Sequence, residues 1–161
     1  MAAILVAYYS RTGRTRLVAD ELARTLGADR LEIADLHSRK GLTGYLRSAR
    51  EAMRGELPPI APQHIGLTPY ALVVLGTPVW AGHLSSPMRS FLHAHERELP
   101  RVAFFCTCGG SGAQRVFDEM RTLAGRQPEA TCALTERDIA ARRHREALEA
   151  FATRLRPAAA A

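Results

Sequence analysis

Three hydroxyl side chains cluster in a short segment that follows an apolar run near the start of the chain. Ser10, Thr12 and Thr15 surround Gly13, and the residues after them have the spacing of an amphipathic helix. Glycine allows close backbone approach, and the free N–H groups at a helix start attract anions. A simple helix cap would account for one hydroxyl but not for three beside a glycine. The segment therefore predicts a phosphate-binding site.

Other phosphate-binding motifs do not fit this sequence. It contains no Gly-x-x-x-x-Gly-Lys, and no Gly-x-Gly-x-x-Gly follows an apolar run. A phosphatase loop of the Cys-x-x-x-x-x-Arg type is also missed, since six residues separate Cys108 from Arg115. The cysteines and histidines lack the spacing of a metal site, so we expect no bound metal.

A second segment of interest is Gly76–Leu84, which contains the only tryptophan, Trp80. A large flat side chain in a loop with two glycines and a proline favours a wall against a planar ligand. The alternative is that Trp80 only covers the core. A third segment, Thr107–Gly112, has three glycines in four residues, which let the main chain lie flat against a ligand.

The third segment also admits a different chemistry, that of a serine hydrolase. Ser111 lies between glycines where such an enzyme places its nucleophile, and Asp138 and His144 follow in a suitable chain order. The chain is short for that fold, and this hypothesis leaves the first two segments unexplained.

Alternating strand and helix patterns predict the elements that hold these segments. An α/β fold with a parallel sheet covered on both faces follows from five such strands, and ligands bind beyond the carboxyl ends of the strands. The predicted strands are Ala3–Tyr8, Arg30–Ala34, Ala71–Leu75, Val102–Cys106 and Thr131–Thr135. The predicted helices are 13–26 closed by Gly27, Tyr45–Arg54 closed by Gly55, one starting at Ser86-Pro87, Gly112–Ala124, and Ala141–Arg156.

Length and charge limit the class of protein. The 161 residues, 47% of them hydrophobic, suit one domain over 1–156, with 157–161 as a short disordered tail. The net charge is +6, but the arginines are spread along the chain without interleaved aromatics, so we expect no nucleic acid partner. No apolar run is long enough for a membrane span. Three cysteines without an export signal predict free thiols and a cytoplasmic location.

The three segments together resemble the flavodoxin family, in order and over nearly the whole chain. Residues 9–15 are similar to its FMN-phosphate loop, and 76–82 with 86–92 are similar to its first flavin loop and the following helix. Thr107–Gly112 lies where the second flavin loop belongs. The resemblance implies a flavodoxin-like three-layer sandwich of the short-chain form, with strand order 2-1-3-4-5 and FMN as cofactor.

The resemblance also implies which residues bind the cofactor and that the flavin carries the redox chemistry, with no catalytic side chain. The expected FMN-binding residues are Ser10, Arg11, Thr12, Gly13, Arg14 and Thr15 for the phosphate, Thr77, Pro78, Val79, Trp80, Ala81 and Gly82 for the ring, and Thr107, Cys108, Gly109 and Gly110 for its other side.

Two features depart from the electron carriers of this family, which are acidic and often have a tyrosine in the second flavin loop. This chain is basic, and residues 107–112 contain no aromatic. We expect a more open flavin face, suited to electron transfer or to reduction of a small, quinone-type acceptor. We expect the partner to be a redox protein, with an acidic surface that complements this chain, or a small acceptor. We expect the chain to be a monomer or a homodimer. A flavin-free binding module of the same fold is a further alternative.

Overall fold

Five parallel strands form the central sheet of the computed structural model, which describes residues 3–63 and 65–157. The strands of the whole sheet are β1 (Ala3–Tyr8), β2 (Asp29–Glu32), β3 (Tyr70–Trp80), β4 (His83–Leu84), β5 (Arg101–Cys108) and β6 (Thr131–Thr135). The parallel strands lie in the order β2-β1-β3-β5-β6, and the two-residue β4 pairs with β3 in the antiparallel sense.

Helices cover both faces of this sheet. They are α1 (Arg14–Leu26), α2 (Gly41–Arg54), α3 (Ser86–His95), α4 (Ala113–Ala124), α5 (Glu136–Ala140) and α6 (Arg145–Leu155). Helices α1 and α6 pack on one face, and α2, α3 and α4 pack on the other. Within the described residues, no helix has the length and apolar character needed to cross a membrane.

The sheet divides the core in two because neighbouring strand residues point to opposite faces. In β1, Leu5 and Ala7 join the half that contains α3 and α4, whereas Val6 and Tyr8 join the half that contains α1 and α6. Strands β1, β3 and β5 are therefore buried on both sides, as their continuous apolar runs predict.

The predicted fold class and the order of the five parallel strands are confirmed. Glycines end α1 and α2 as expected, because Gly27 and Gly55 adopt left-handed conformations with φ of 62° and 64°. The short strand β4 is an addition that the sequence pattern did not predict.

Several predicted boundaries are wrong. Helix α2 begins at Gly41 rather than at Tyr45, and β2 spans Asp29–Glu32 rather than Arg30–Ala34. The segment after the third predicted strand is not a loop, since β3 continues to Trp80. Likewise β5 extends through Cys108. The predicted last helix starts too early: α5 ends at Ala140, and a turn with Arg142 at φ 58° separates it from α6. The expected tail lies outside the described residues beyond Pro157.

Candidate functional site

The hydroxyl-rich segment forms a tight turn into α1. Gly13 adopts φ 102°, and its N–H donates to Ser10 Oγ at 3.0 Å, so the Ser10 hydroxyl stabilises the turn itself. No side chain among residues 3–63 and 65–157 caps α1, which leaves the N–H groups of its first turn available to a ligand. Thr12 is exposed beside them, so this turn presents hydrogen-bond donors to solvent.

Thr15 connects this turn to the sheet. Its hydroxyl lies 2.8 Å from the Thr107 hydroxyl near the end of β5, and both side chains are buried. The contact fixes the start of α1 against the carboxyl end of a central strand, where an open α/β sheet binds ligands.

A β-hairpin carries the tryptophan. Val79 and Trp80 pair with Leu84 and His83, and the two residues between the strands, Ala81 and Gly82, have φ of 50° and 78°. Positive φ at both positions is the signature of a two-residue hairpin turn that matches the strand twist. This turn holds Trp80 at the sheet edge rather than in a free loop.

The turn before α1, the hairpin and α2 together enclose one cleft. Sequence reasoning placed nine of its lining residues there: Arg11, Thr12, Arg14, Thr15, Pro78, Val79, Trp80, Ala81 and Thr107. It missed four: Tyr45, Ser48, Ala49 and Glu136. The first three come from α2, and Glu136 begins α5. No local pattern marks these four, because only the fold brings them to the cleft.

The remaining predicted residues do not line the cleft. Ser10 and Gly13 shape the turn, and Thr77 is buried with its hydroxyl 2.7 Å from that of Ser85. Cys108 is buried, whereas Gly109 and Gly110 are exposed. Gly82 lies in the hairpin turn. A Cβ built on Gly112 would lie 3.1 Å from the Cα of Gly82. The glycine-rich segment after β5 thus packs against the hairpin.

Two side chains, those of Arg39 and Tyr9, contact the Trp80 ring. The Arg39 guanidinium carbon lies 5.1 Å from the centre of the Trp80 ring, which is a cation–π contact. The Tyr9 ring lies 5.4 Å from the Trp80 ring and at a right angle to it. These contacts fix the orientation of the tryptophan before any ligand arrives.

Arg39 is itself the centre of a buried ionic network. Its side chain is only 3% exposed; Nε lies 2.9 Å from Asp35 Oδ1, and Nη2 lies 2.7 Å from Glu51 Oε2. Tyr9 donates to Asp35 at 2.6 Å, and Ser86 donates to Glu51 at 2.8 Å. Both carboxylates are therefore satisfied by several donors, which is what a buried charge requires.

The network also determines the protonation of its members. Burial raises the pKa of Tyr9, and its hydrogen bond to the Asp35 carboxylate raises it further. Burial lowers the pKa of Arg39, but its contacts with Glu51 and Asp35 outweigh this, so the net pKa shift is upward. Tyr9 therefore stays a neutral donor and Arg39 a cation.

Helix α2 approaches this network through a glycine. A Cβ built on Gly44 would lie 2.2 Å from the backbone carbon of Arg39, so only glycine permits this distance. Arg11 links the turn before α1 to the same region: its Nε donates to the Arg39 carbonyl at 3.3 Å, and its guanidinium lies 5.6 Å from the Tyr45 ring centre.

An acidic side chain lies at the opposite edge of the cleft. Glu136 Oε2 is 3.2 Å from Arg14 Nη1, and both side chains are about half exposed. Such exposed pairs are weak, so Arg14 remains able to turn towards an anionic ligand. The pair offsets part of the positive charge that the sequence places at this site.

The hydrolase hypothesis is not supported by the side-chain geometry. His144 is buried, and its Nε2 lies 2.8 Å from Glu21, while its Nδ1 has no partner among the described residues. Asp138 accepts instead from Arg143. In the part of the chain that the structure describes, neither group hydrogen-bonds to Ser111, which is exposed on the segment before α4.

Cys106 and Cys132 are expected to be unreactive in the folded protein. All three cysteines are buried and free; burial raises the pKa of Cys132 to about 11 and also raises that of Cys106. Because the thiolate is the reactive form, a disulfide reagent at about pH 8 should label Cys106 and Cys132 slowly in the native protein and rapidly after denaturation. Rapid labelling of native Cys106 or Cys132, located by peptide mass spectrometry, would contradict this.

Comparison with known proteins gives one family and a set of similar folds. A sequence model of the flavodoxin family matches residues 3–149. A flavoprotein from Lactobacillus acidophilus NCFM in complex with FMN is 22% identical, with a TM-score of 0.72 over 88% of this chain and 98% of that one.

Two further structures have the same fold. A provisionally assigned flavoprotein from Bacteroides eggerthii is 25% identical, with a TM-score of 0.74 over 94% of this chain and 99% of that one. Flavodoxin 1 from Bacillus cereus is 16% identical, with a TM-score of 0.55 over 95% and 96% of the two chains. No curated protein matches the sequence.

Proposed function

Because the chain belongs to the flavodoxin family, we propose that it binds FMN in the cleft between α1, α2 and the hairpin and serves as a redox protein. The observation that carries this proposal is the composition of the cleft. Hydrogen-bond donors for a phosphate line one end, and a clamped tryptophan lines the other. A phosphate joined to a flat ring system needs both.

The donors available in the cleft suit a phosphomonoester. The hydroxyl of Thr12, the first-turn N–H groups of α1 and the guanidinium of Arg14 supply hydrogen bonds to anionic oxygens. Ser10 and Gly13 keep the turn in shape, and the Thr15–Thr107 contact keeps α1 in place. We assign the phosphate to this end of the cleft.

The other end suits a planar aromatic group. Pro78, Val79, Trp80 and Ala81 form an apolar wall from the hairpin that excludes water from one side. Main-chain groups of the segment from Thr107 to Gly110 would border the ring's other side, as the family resemblance suggests. FMN, when bound, supplies electron and hydride transfer, so no side chain of this chain needs to act as acid or base.

The exposed glycines favour a site that is open to a second reactant. Gly109 and Gly110 are exposed and carry no side chain to cover a ligand. This supports electron transfer to a protein or reduction of a small, quinone-type acceptor, carried out in the cytoplasm by a monomer or homodimer. A binding module without flavin would not require a tryptophan held in a fixed orientation beside a phosphate site.

Intrinsic fluorescence provides a direct test, because Trp80 is the only tryptophan and lines the cleft. We expect FMN to quench this fluorescence saturably. Riboflavin, which lacks the phosphate, should bind about 100-fold more weakly, since the lost charged hydrogen bonds are each worth about 1.5–3 kcal/mol. Equal affinity for the two would contradict the assigned phosphate end, and no saturable binding of either would refute the proposed function.

The phosphate end can be tested by itself with one substitution. Thr12→Ala removes an exposed hydroxyl from the cleft and should weaken FMN about tenfold while leaving riboflavin affinity unchanged. Thr153→Ala on α6, which removes a hydroxyl bonded only to the Glu149 carbonyl, is the matched control. The assignment fails if the two variants bind FMN equally well in fluorescence titrations.

A further inference from the structure

Helix α2 exposes a continuous apolar stripe. Its four large members are Leu42 (73% exposed), Tyr45 (57%), Leu46 (57%) and Met53 (63%), and the half-buried Ala49 lies among them. At about 100° per residue, the five side chains fall within roughly 100° of the helix circumference. A stripe of this width normally packs against a core, and its exposure marks an interaction surface.

The stripe cannot turn inwards, because the opposite side of α2 is committed to the ionic network. The inner face carries Gly44, Ser48, Glu51 and Ala52, all buried. Gly44 touches the backbone of Arg39, and Glu51 pairs with its guanidinium. Rotating the helix to bury the leucines would expose these groups and leave Arg39 without a partner in the core. The outward orientation is therefore fixed by the buried charges.

The stripe is continuous with the mouth of the cleft. Tyr45 and Ala49 belong to the stripe and also line the cleft beside Trp80. Any protein that covers the stripe therefore lies directly beside the cleft. This placement suits a macromolecule that exchanges something with the cleft contents.

The exposed charges on α2 beside the stripe are all positive, and Glu56, just beyond the helix end, lies 3.9 Å from Arg54. On the same helix, Arg50 and Arg54 are exposed and Arg47 is partly exposed, and Lys40 precedes the helix. The only acidic residue of α2 is Glu51, which is buried and paired with Arg39. A second copy docked through this stripe by a two-fold axis would face cations with cations, which is unfavourable. An acidic partner is complementary to it.

We propose that the outward face of α2 is the docking surface for an acidic electron-carrier protein with an apolar patch beside its redox centre. This inference rests on the proposed function, since it assumes a redox cofactor in the cleft. Each one-electron carrier gives up one electron, so two carriers reduce one FMN, and solvent supplies the protons. Apolar contact provides affinity, and the basic rim steers the encounter.

The test uses an acidic [2Fe–2S] ferredoxin as the probe, titrated in its oxidised form into FMN-loaded protein by calorimetry. We expect saturable binding that weakens at least tenfold between about 20 and 500 mM salt, because screening removes the attraction of the basic rim. At low salt, the double variant Leu42→Gln/Leu46→Gln should bind ferredoxin about tenfold more weakly than the wild type does. Its control is Leu17→Gln, which alters an exposed leucine of α1 on the other face of the sheet.

The charged rim is tested separately. Arg50→Glu/Arg54→Glu should weaken ferredoxin binding and flatten its salt dependence, whereas Arg154→Glu on the exposed surface of α6 should not. Trp80 quenching by FMN is measured on every variant, so a failure of cofactor binding is recognised separately from a failure of docking.

Several results would overturn the docking proposal while leaving the proposed function intact. One is FMN-loaded wild-type protein that does not bind ferredoxin. Another is stripe variants that bind it as the Leu17→Gln control does. A third is sedimentation velocity showing a wild-type dimer that Leu42→Gln/Leu46→Gln converts to monomers, which would assign the stripe to a second copy of the chain.

Discussion

Replacing Arg39 with methionine is expected to lower the free energy of unfolding by about 3 kcal/mol or more, because the change leaves the buried Glu51 and the largely buried Asp35 without their cation. Asp35 and Glu51 both pair with this guanidinium at under 3.0 Å. Their remaining donors are hydroxyls and the half-exposed Arg47. Urea denaturation followed by circular dichroism measures the loss.

Arg47→Met provides the control for Arg39. It removes a second arginine that pairs with Glu51, at 3.3 Å, but whose side chain is 34% exposed, so the cost should stay below about 1 kcal/mol. Comparable losses in the two variants would show that the buried network is not a special source of stability. Because Arg39 also contacts the Trp80 ring, only its replacement should shift the tryptophan emission.

Gly76→Ala is expected to destabilise the protein by roughly 3 kcal/mol through overpacking of the central sheet. A Cβ on Gly76 would lie 2.0 Å from the tip of the Phe105 ring on the neighbouring strand β5. Phe105 is fully buried, so its ring has nowhere to move without displacing the core. The same urea titrations measure this effect.

Gly66→Ala is the matched control, because a Cβ at this exposed position would meet no atom within 4 Å. We expect it to leave the unfolding free energy within about 0.5 kcal/mol of the wild type. If Gly76→Ala were equally mild, the close packing of Phe105 against β3 would not be a determinant of stability.

The strands and the turn around Gly13 are predictable from sequence because their signals are local. The run Ala3–Tyr8 is apolar on both sides of the strand. This pattern is typical of a parallel strand that is buried on both faces of its sheet. The turn around Gly13 has its hydroxyls, its glycine and its helix start within six residues. Local chemistry therefore determines both the element and its position at the sheet edge.

The end of β3 is not predictable in the same way. Pro78 and two glycines indicate a loop, yet β3 continues past Pro78 to Trp80. The proline is tolerated because β1 ends at Tyr8, opposite Gly76, and leaves that side of the strand unpaired. Whether a proline lies on a free edge depends on the length of a neighbouring strand, which the local sequence does not contain.

The orientation of α2 illustrates a second limit. The spacing of Leu46, Ala49 and Met53 correctly predicts a helix but not that the stripe faces solvent. The inner face is selected by Arg39, which precedes the helix, and by Ser86, which follows β4. These contacts join distant parts of the chain, and they also bring Tyr45 to the cleft.

The division of the core by the sheet has a consequence for how such a protein diversifies. The turn that precedes α1 is supported from the half that α1 and α6 fill, whereas Trp80 and its ionic support lie with α2 on the opposite side. Substitutions in the half that contains α2 can therefore alter the surroundings of Trp80 while the turn before α1 keeps its support from the other half.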